Sequence, residues 1–188
     1  MFAISPSGGL TPVPGTPVQF VPPGFAGKNI FASSVDCNCS STRLFEAKFN
    51  DVGRIVAGVF NISAGGSLIP VPGSPFVFSE GDNSSVIALS ADDRFAFISN
   101  QDSRTVSSFS IGASGALTLV PPLVQIPDVF PAGPSTPLGL TVDAAGRFLF
   151  EANSTNTVGS LQIGANGSLT QAPGLPISRD TRGLGSAP

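Results

Sequence analysis

One short segment occurs four times along the chain, and this repetition constrains the fold more than any other feature. Each copy begins with Phe or Leu, has Ile two residues later, and ends with Leu eight residues after its start. The copies are 2–10, 60–68, 109–117 and 161–169. The closing leucines are 58, 49 and 52 residues apart, a period typical of propellers and other repeat arrays. We therefore interpret the chain as a repeat protein.

The last copy shows the strands of one repeat most clearly. In 148–153 and again in 158–163, side chains of different character alternate, which is the two-residue period of a β-strand. The Gly-containing segment 164–167 can reverse the chain in a tight hairpin before a further strand at 168–171. Upstream, the apolar run 137–143 predicts a buried inner strand. One repeat is thus predicted to be a four-stranded antiparallel meander.

Prolines and glycines interrupt every window long enough to hold three helical turns. The predicted fold class is therefore all-β. A four-stranded sheet cannot bury both of its faces alone, so neighbouring copies must stack face to face, either around an axis or as a solenoid. Four antiparallel strands per repeat favour the radial arrangement, that is, β-propeller blades in an open arc of about 3.5 blades.

We predict a single partial propeller domain over residues 1–188. Its parts are a half blade at 1–20, blades at 28–78, 85–125 and 137–178, and the start of a connection to a next blade at 179–188. Propellers close with four to eight blades. Closing the ring therefore requires either further blades of a longer polypeptide or self-association of the chain.

Two connections between the predicted strands look unusual. Seven residues separate Asp36 from Leu44, whereas five separate Asp143 from Leu149. The turn between the first two strands of blade 28–78 is therefore predicted to be enlarged. The long connection 126–136 is the kind of insertion in which a repeat scaffold often places its binding specificity.

Three segments carry a family resemblance. Pro137–Asn153 follows the pattern Pro-x-Gly, three mostly apolar residues, Asp-x-x-Gly-Arg-Phe and a closing Ala-Asn; Thr157–Ile163 and the Pro-Val-Pro-Gly-Ser-Pro-Phe run within Gly66–Phe76 complete it. Together with the divergent copies, these motifs cover nearly the whole chain. The chain resembles the seven-bladed propeller lactonase family, which includes bacterial 6-phosphogluconolactonase-like proteins. The resemblance implies hydrolysis of a sugar lactone near the central channel. The alternative is a non-catalytic propeller that presents loops such as 126–136 to a protein or glycan.

Composition excludes several functions. The net charge of −3 and the scattered placement of nine basic residues argue against nucleic-acid binding. No apolar run approaches the length of a membrane span, and residues 1–6 lack the basic start and apolar middle of a signal peptide. The chain contains no His, Tyr or Trp, which rules out histidine triads and histidine metal sites within it. We predict no metal and no cofactor.

Glu46 and Glu151 are the candidate catalytic residues. They stand at the same place in the matching segments Leu44–Ala47 and Leu149–Ala152, where a strand is expected to carry an apolar or small residue. A partly buried carboxylate can act as a general base on water, which suits the opening of a lactone. The structural alternative is that each glutamate is solvated near a blade edge or paired with Lys48 or a neighbouring arginine.

Arg94 and Arg147 are the candidate binding residues. They hold equivalent positions after the turn that joins the first two strands of a blade, and a guanidinium can bind a phosphate or carboxylate with two parallel hydrogen bonds. The structural alternative is an ion pair in every blade, with Asp92, Asp93 or Asp143 as partner.

Cys37 and Cys39 form a Cys-x-Cys sequence. Two thiols are too few to hold zinc without help, and a disulfide across one intervening residue would be strained. We therefore expect two free thiols in a surface turn, which favours a reducing compartment.

Overall fold

The computed structural model describes residues 2–15, 21–22, 24–80, 82–125, 137–154, 157–173 and 177–178. These residues contain sixteen β-strands and no helix, which confirms the all-β prediction. No helix in this described part is long and apolar enough to cross a membrane. The predicted boundaries of the half blade and the blades stay predictions, and residues 16–20 and 179–188 lie outside the described residues.

The strands form four antiparallel sheets. The first sheet has two strands, β1 (Phe2–Ile4) and β2 (Leu10–Pro12). The second sheet has the order β3-β4-β5-β6, and β7 pairs with β5. Its strands are β3 (Ile30–Cys37), β4 (Arg43–Asn50), β5 (Ile55–Ile62), β6 (Leu68–Pro70) and β7 (Phe76–Phe78).

The third and fourth sheets repeat this meander. The third has the order β8-β9-β10-β11, and the fourth has the order β12-β13-β14-β15 with β16 paired to β14. The strands of the third sheet are β8 (Ser84–Leu89), β9 (Phe95–Asn100), β10 (Thr105–Ile111) and β11 (Leu117–Gln125). Those of the fourth are β12 (Pro137–Val142), β13 (Phe148–Asn153), β14 (Thr157–Ile163), β15 (Leu169–Gln171) and β16 (Ile177–Ser178).

The second, third and fourth sheets pack face to face, and the third sheet is buried on both sides. Along β9, Ala96 and Ile98 belong to the core shared with the second sheet, whereas Phe95 and Phe97 belong to the core shared with the fourth. This alternation is the two-residue period of a strand. Full burial of one such large apolar side chain contributes about 1.5–3 kcal/mol, so the stacking of neighbours supplies the core that one sheet lacks.

The same register recurs in each full sheet. The second and third strands of the three sheets pair at the positions Leu44 with Phe60, Ala96 with Phe109, and Leu149 with Leu161. This correspondence defines which residues of different sheets are equivalent, and the sections below use it.

The turn between the first two strands has the same length in all three full sheets. The backbone N–H groups of Asn38, Ser90 and Asp143 each donate to the carbonyl five residues later. Asn38 is therefore the counterpart of Asp143, and the prediction of an enlarged turn, which aligned Asp36 with Asp143, is wrong. Asp36 is instead a strand residue two positions before the turn, because it pairs with Phe45 as Thr141 pairs with Phe150.

Candidate functional site

The first strands of the three full sheets line a cleft. Strand β8 contacts both β3 and β12, and the space along these three inner strands has a volume of about 410 Å³. Its lining comprises Ser34, Val35, Asp36, Val86, Ile87, Ala88, Leu89, Gly139, Leu140, Thr141 and Val142. Because each strand alternates its side chains, apolar and polar groups both reach this cleft.

Asp36 is the one charged side chain among these lining residues. Its Oδ2 accepts a hydrogen bond of 3.0 Å from the N–H of Leu89, and its Oδ1 accepts one of 2.9 Å from the N–H of Cys37. The contact with Leu89 crosses from the second sheet to the third, so it fixes the carboxylate between two inner strands. An ionised carboxylate has about four lone-pair sites, so two remain for water or a substrate hydroxyl.

The cleft also contains hydroxyl groups. Thr141 holds the register position of Asp36, since it pairs with Phe150 as Asp36 pairs with Phe45, and it is exposed. Ser34 accepts a hydrogen bond of 3.3 Å from the N–H of Ile87. A carboxylate on one inner strand and a hydroxyl at the same level of another can bind a polyhydroxylated ligand and accept a proton from water.

Both cysteines are free thiols, as the sequence predicts. Cys37 follows Asp36 directly, and Sγ of Cys39 donates to the carbonyl oxygen of Ala91 at 3.1 Å. Burial raises the pKa of the Cys37 thiol, and the negative charge of Asp36 raises it further.

We expect Cys37 to react with iodoacetamide only slowly at neutral pH. Only the thiolate reacts, and the raised pKa of Cys37 means that the thiolate forms at higher pH than in an unfolded chain. In Asp36→Asn the charge is removed, so the midpoint of Cys37 labelling should move to lower pH. Labelling rates from pH 7 to pH 10, followed by peptide mass spectrometry in a Cys39→Ser background, measure this shift. An unmoved midpoint in Asp36→Asn contradicts the prediction.

Glu46 lies on β4, on the face opposite to the core shared with the third sheet. Its side chain is 11% exposed, and its Oε1 lies 2.8 Å from Nζ of Lys48, which is 8% exposed. The two residues are two positions apart on one strand and therefore share a face. The structure thus shows the ion pair with Lys48 that the sequence analysis gave as a structural alternative to catalysis by Glu46.

Glu151 holds the same register position in the fourth sheet, since Glu46 pairs with Gly58 and Glu151 pairs with Gly159. It is 1% exposed and lies on the same face as Leu149, toward the third sheet. Nδ2 of Asn153 lies 3.5 Å from Oε2 of Glu151. Neither glutamate lines the inner-strand cleft, and their catalytic role stays a prediction.

Arg94 and Arg147 lie at the surface, with side chains 56% and 70% exposed. Each pairs with an aspartate of its own turn at 3.3 Å, Arg94 with Asp92 and Arg147 with Asp143. The hydrogen bond from the N–H of Phe148, followed by those from Arg147, holds the pKa of Asp143 below its ordinary value. The two arginines do not line the cleft, and their ligand-binding role also stays a prediction.

Arg94 makes a second contact that sequence reasoning did not indicate. Its Nη2 donates to the carbonyl oxygen of Ala165 at 2.6 Å, in the hairpin turn of the next sheet. Arg43 makes the same contact one sheet earlier, to the carbonyl oxygen of Ala113 at 2.6 Å. These arginines thus connect the second sheet to the third and the third sheet to the fourth.

Sequence reasoning missed Asp36 because it was aligned with the turn residue Asp143. Asp36 lies two positions before its turn, at the level of Thr141, and in sequence an aspartate there resembles the aspartate that begins the turn after β12. The turn residue can be identified by its distance from the second strand, because the first N–H of the turn donates to the carbonyl five residues later in all three full sheets. This distance places Asn38, and not Asp36, at the start of the turn. The loop 126–136, predicted to carry specificity, lies outside the described residues, within which no group of three metal-ligating side chains occurs.

A comparison with protein-family models matches residues 72–181 to one family, described as "Lactonase, 7-bladed beta-propeller". A comparison with curated protein sequences gave no match. The family match covers more than half of the chain and agrees with the stacked four-stranded sheets. The prediction of a partial propeller is therefore confirmed.

Solved structures resemble this one in fold. A Lactobacillus plantarum protein superposes with a TM-score of 0.69 at 22% identity, over 94% of this chain and 50% of that one. The Pseudomonas aeruginosa periplasmic gluconolactonase gives 0.65 at 20% identity, over 80% and 42% of the two chains. A Bacteroides uniformis protein provisionally named a 6-phosphogluconolactonase gives 0.65 at 16%, over 90% and 49%. The chain thus spans about half the length of the solved structures that it matches.

Proposed function

The chain belongs to the seven-bladed beta-propeller lactonase family, and from this premise we propose that its propeller hydrolyses a sugar lactone in the inner-strand cleft, with Asp36 as general base. The observation that carries the proposal is the placement of one carboxylate, fixed by two backbone N–H groups, in a cleft that also contains hydroxyl groups. A general base must lie within hydrogen-bond reach of the proton that it removes. The remaining lone pairs of Asp36 meet this requirement for a water molecule in the cleft.

The chemistry needs one water and no further reactant. Asp36 takes a proton from water while the water oxygen bonds to the lactone carbonyl carbon. The bond between that carbon and the ring oxygen then breaks, and the proton passes to the leaving ring oxygen, which becomes a hydroxyl group. The Thr141 hydroxyl and the backbone groups of the inner strands supply hydrogen bonds for the hydroxyls of a sugar.

The charge of the cleft favours a neutral sugar lactone. No Lys or Arg occurs among the cleft's described lining residues, and Asp36 is negative. A phosphorylated lactone would bring its anionic group toward this carboxylate without a cation to balance it. We therefore expect glucono-δ-lactone to be hydrolysed more efficiently than its 6-phosphate.

The test is the rate of acid release from both lactones, corrected for spontaneous hydrolysis. Asp36→Asn is expected to lower kcat by about 10²–10⁴-fold, the usual contribution of a general base, while preserving the fold, since Asn retains an acceptor oxygen. The matched control is Asp51→Asn in the turn between β4 and β5, which should leave the rate unchanged. A rate no faster than the spontaneous one for the unaltered protein would disprove the proposal.

The second candidate is a non-catalytic propeller that presents loops to a protein or glycan. It is favoured by one observation: Glu46, Glu151, Arg94 and Arg147 do not line the cleft, so the sequence-predicted charges do not converge there. The absence of lactone hydrolysis together with an intact fold would favour this candidate.

A further inference from the structure

The fourth sheet exposes the face that its predecessors bury. In the third sheet, Phe97 and Val106 are 0% exposed and pack on the fourth sheet. Their register equivalents in the fourth sheet, Phe150 and Val158, are 37% and 45% exposed. They line a mostly apolar groove of about 270 Å³ together with Gly139, Leu140, Thr141, Glu151 and Ala152. We call this surface, centred on Phe150 and Val158, the tail face.

The first sheet exposes the opposite kind of face. All residues of β1 and β2 are exposed, and the large apolar side chains among them are Phe2, Ile4 and Leu10, which are 56%, 75% and 64% exposed. Their register equivalents include Phe109 and Leu117 of the third sheet, which are buried in the core shared with the preceding sheet. Phe2, Ile4 and Leu10 form the head face. The head face therefore has the pattern that elsewhere in this chain packs on a preceding sheet.

Turn residues at the head face and at the tail face are also complementary. Arg94 donates to the carbonyl oxygen of Ala165 in the next sheet's hairpin turn, and Arg147 is the equivalent of Arg94 at the tail face. In the first sheet, the turn from Ser5 to Gly9 has the backbone hydrogen bonds of the turn that contains Ala165, which places the carbonyl of Pro6 at the position of Ala165. Arg147 and the carbonyl group of Pro6 are thus the equivalents of Arg94 and the carbonyl group of Ala165, which join the third sheet to the fourth.

A glycine in each hairpin turn shows the same difference. Gly167 lies so close to Phe95 of the preceding sheet that a Cβ there would overlap the Phe95 ring. Gly8, at the equivalent position of the head face, has nothing within 4 Å of such a Cβ. The head face therefore has the pattern of a face that packs on a preceding sheet, and no sheet of the described residues covers it.

From these four observations we propose that two copies of this chain associate head to tail, the head face of each docking on the tail face of the other. One chain spans about half the length of the solved structures that it matches, and its family is described as seven-bladed, so two chains supply about one ring. Each copy has three full sheets and the two-stranded first sheet, so two copies bring six full sheets and two two-stranded ones, within the four to eight blades over which propellers close. In one copy, three inner strands line the inner-strand cleft. In the ring of two copies, this cleft becomes a channel that both copies enclose.

The experiment measures mass by sedimentation velocity over a range of concentrations of the full chain. The unaltered protein of 19.0 kDa is expected to sediment with twice this mass. Ile4→Asp disrupts the head face and Val158→Asp the tail face; each side chain is exposed, so the fold should be retained, and circular dichroism verifies it. Each variant alone should be monomeric, because each loses both interfaces of the ring. Val52→Asp, an exposed turn position away from both faces, is the control and should remain dimeric.

Mixing the two variants tests the geometry directly. An equimolar mixture retains one intact interface, between the tail face of the Ile4→Asp copy and the head face of the Val158→Asp copy. A one-to-one dimer in the mixture, absent from either variant alone, is the result expected only of head-to-tail docking. The proposal is overturned if the unaltered chain is monomeric at every concentration, which is the result expected if sheets of a longer polypeptide cover these faces. It is also overturned if the mixture shows no dimer. This mass measurement is independent of lactone hydrolysis.

Discussion

Replacing Gly167 by alanine is expected to destabilise the protein by about 2–5 kcal/mol. Gly167 has a φ of +83°, a left-handed conformation that costs a residue with a Cβ about 1–2 kcal/mol. The added methyl group would also overlap the Phe95 ring, and overpacking of a core costs about 1–3 kcal/mol. Phe95 is 7% exposed and cannot turn away without disturbing the core between the third and fourth sheets.

Urea unfolding of the variant measures this loss. The matched control is Gly146→Ala, whose φ of +67° is similar but whose Cβ would meet nothing within 4 Å, so it should lose only the conformational part, about 1–2 kcal/mol. Adding Phe95→Leu to Gly167→Ala should recover part of the loss, because the smaller side chain removes the clash. Equal losses for the two alanine variants would show that Phe95 does not restrain this turn.

The contact of Gly167 with Phe95 illustrates what the sequence could and could not predict. The strands and their order followed from local signals, such as the alternation along 95–100 and 148–153 and the Gly-containing hairpin turns, because these depend on residues close together in the chain. The contact between sheets joins residues far apart in sequence. The repeat indicates that sheets stack, but not which side chain of one sheet meets which glycine of the next.

The same limit applies to the candidate site. Glu46 and Glu151 were correctly aligned from sequence, since their segments match residue for residue and the register agrees. Asp36 was misaligned because its local sequence does not distinguish a strand residue from the first residue of the turn; the pairings of Asp36 with Phe45 and of Thr141 with Phe150, which do distinguish them, join different strands. A one-dimensional repeat therefore locates strands better than it locates the residues that converge between sheets.

Replacing Lys48 by methionine is expected to destabilise the protein by about 3–5 kcal/mol, the usual cost of removing one partner from a buried ion pair. Nζ of Lys48 lies 2.8 Å from Oε1 of Glu46, and the two side chains are 8% and 11% exposed. The variant leaves the Glu46 carboxylate inside the protein without its cation. The loss should be visible as a lower midpoint of urea unfolding with an unchanged slope.

Two further variants separate the charge effect from lost packing. Glu46→Met combined with Lys48→Met removes both charges and should be close to the unaltered protein in stability, because apolar replacement of a buried pair is often neutral. Asp92→Asn disrupts the exposed pair with Arg94, whose side chains are both 56% exposed, and should cost about 0.2–1 kcal/mol. If the double variant is as unstable as Lys48→Met alone, the stem of Lys48 and not its charge stabilises β4. If it recovers, Glu46 is held as a paired structural carboxylate, and Asp36 becomes the stronger candidate for the base that lactone hydrolysis needs.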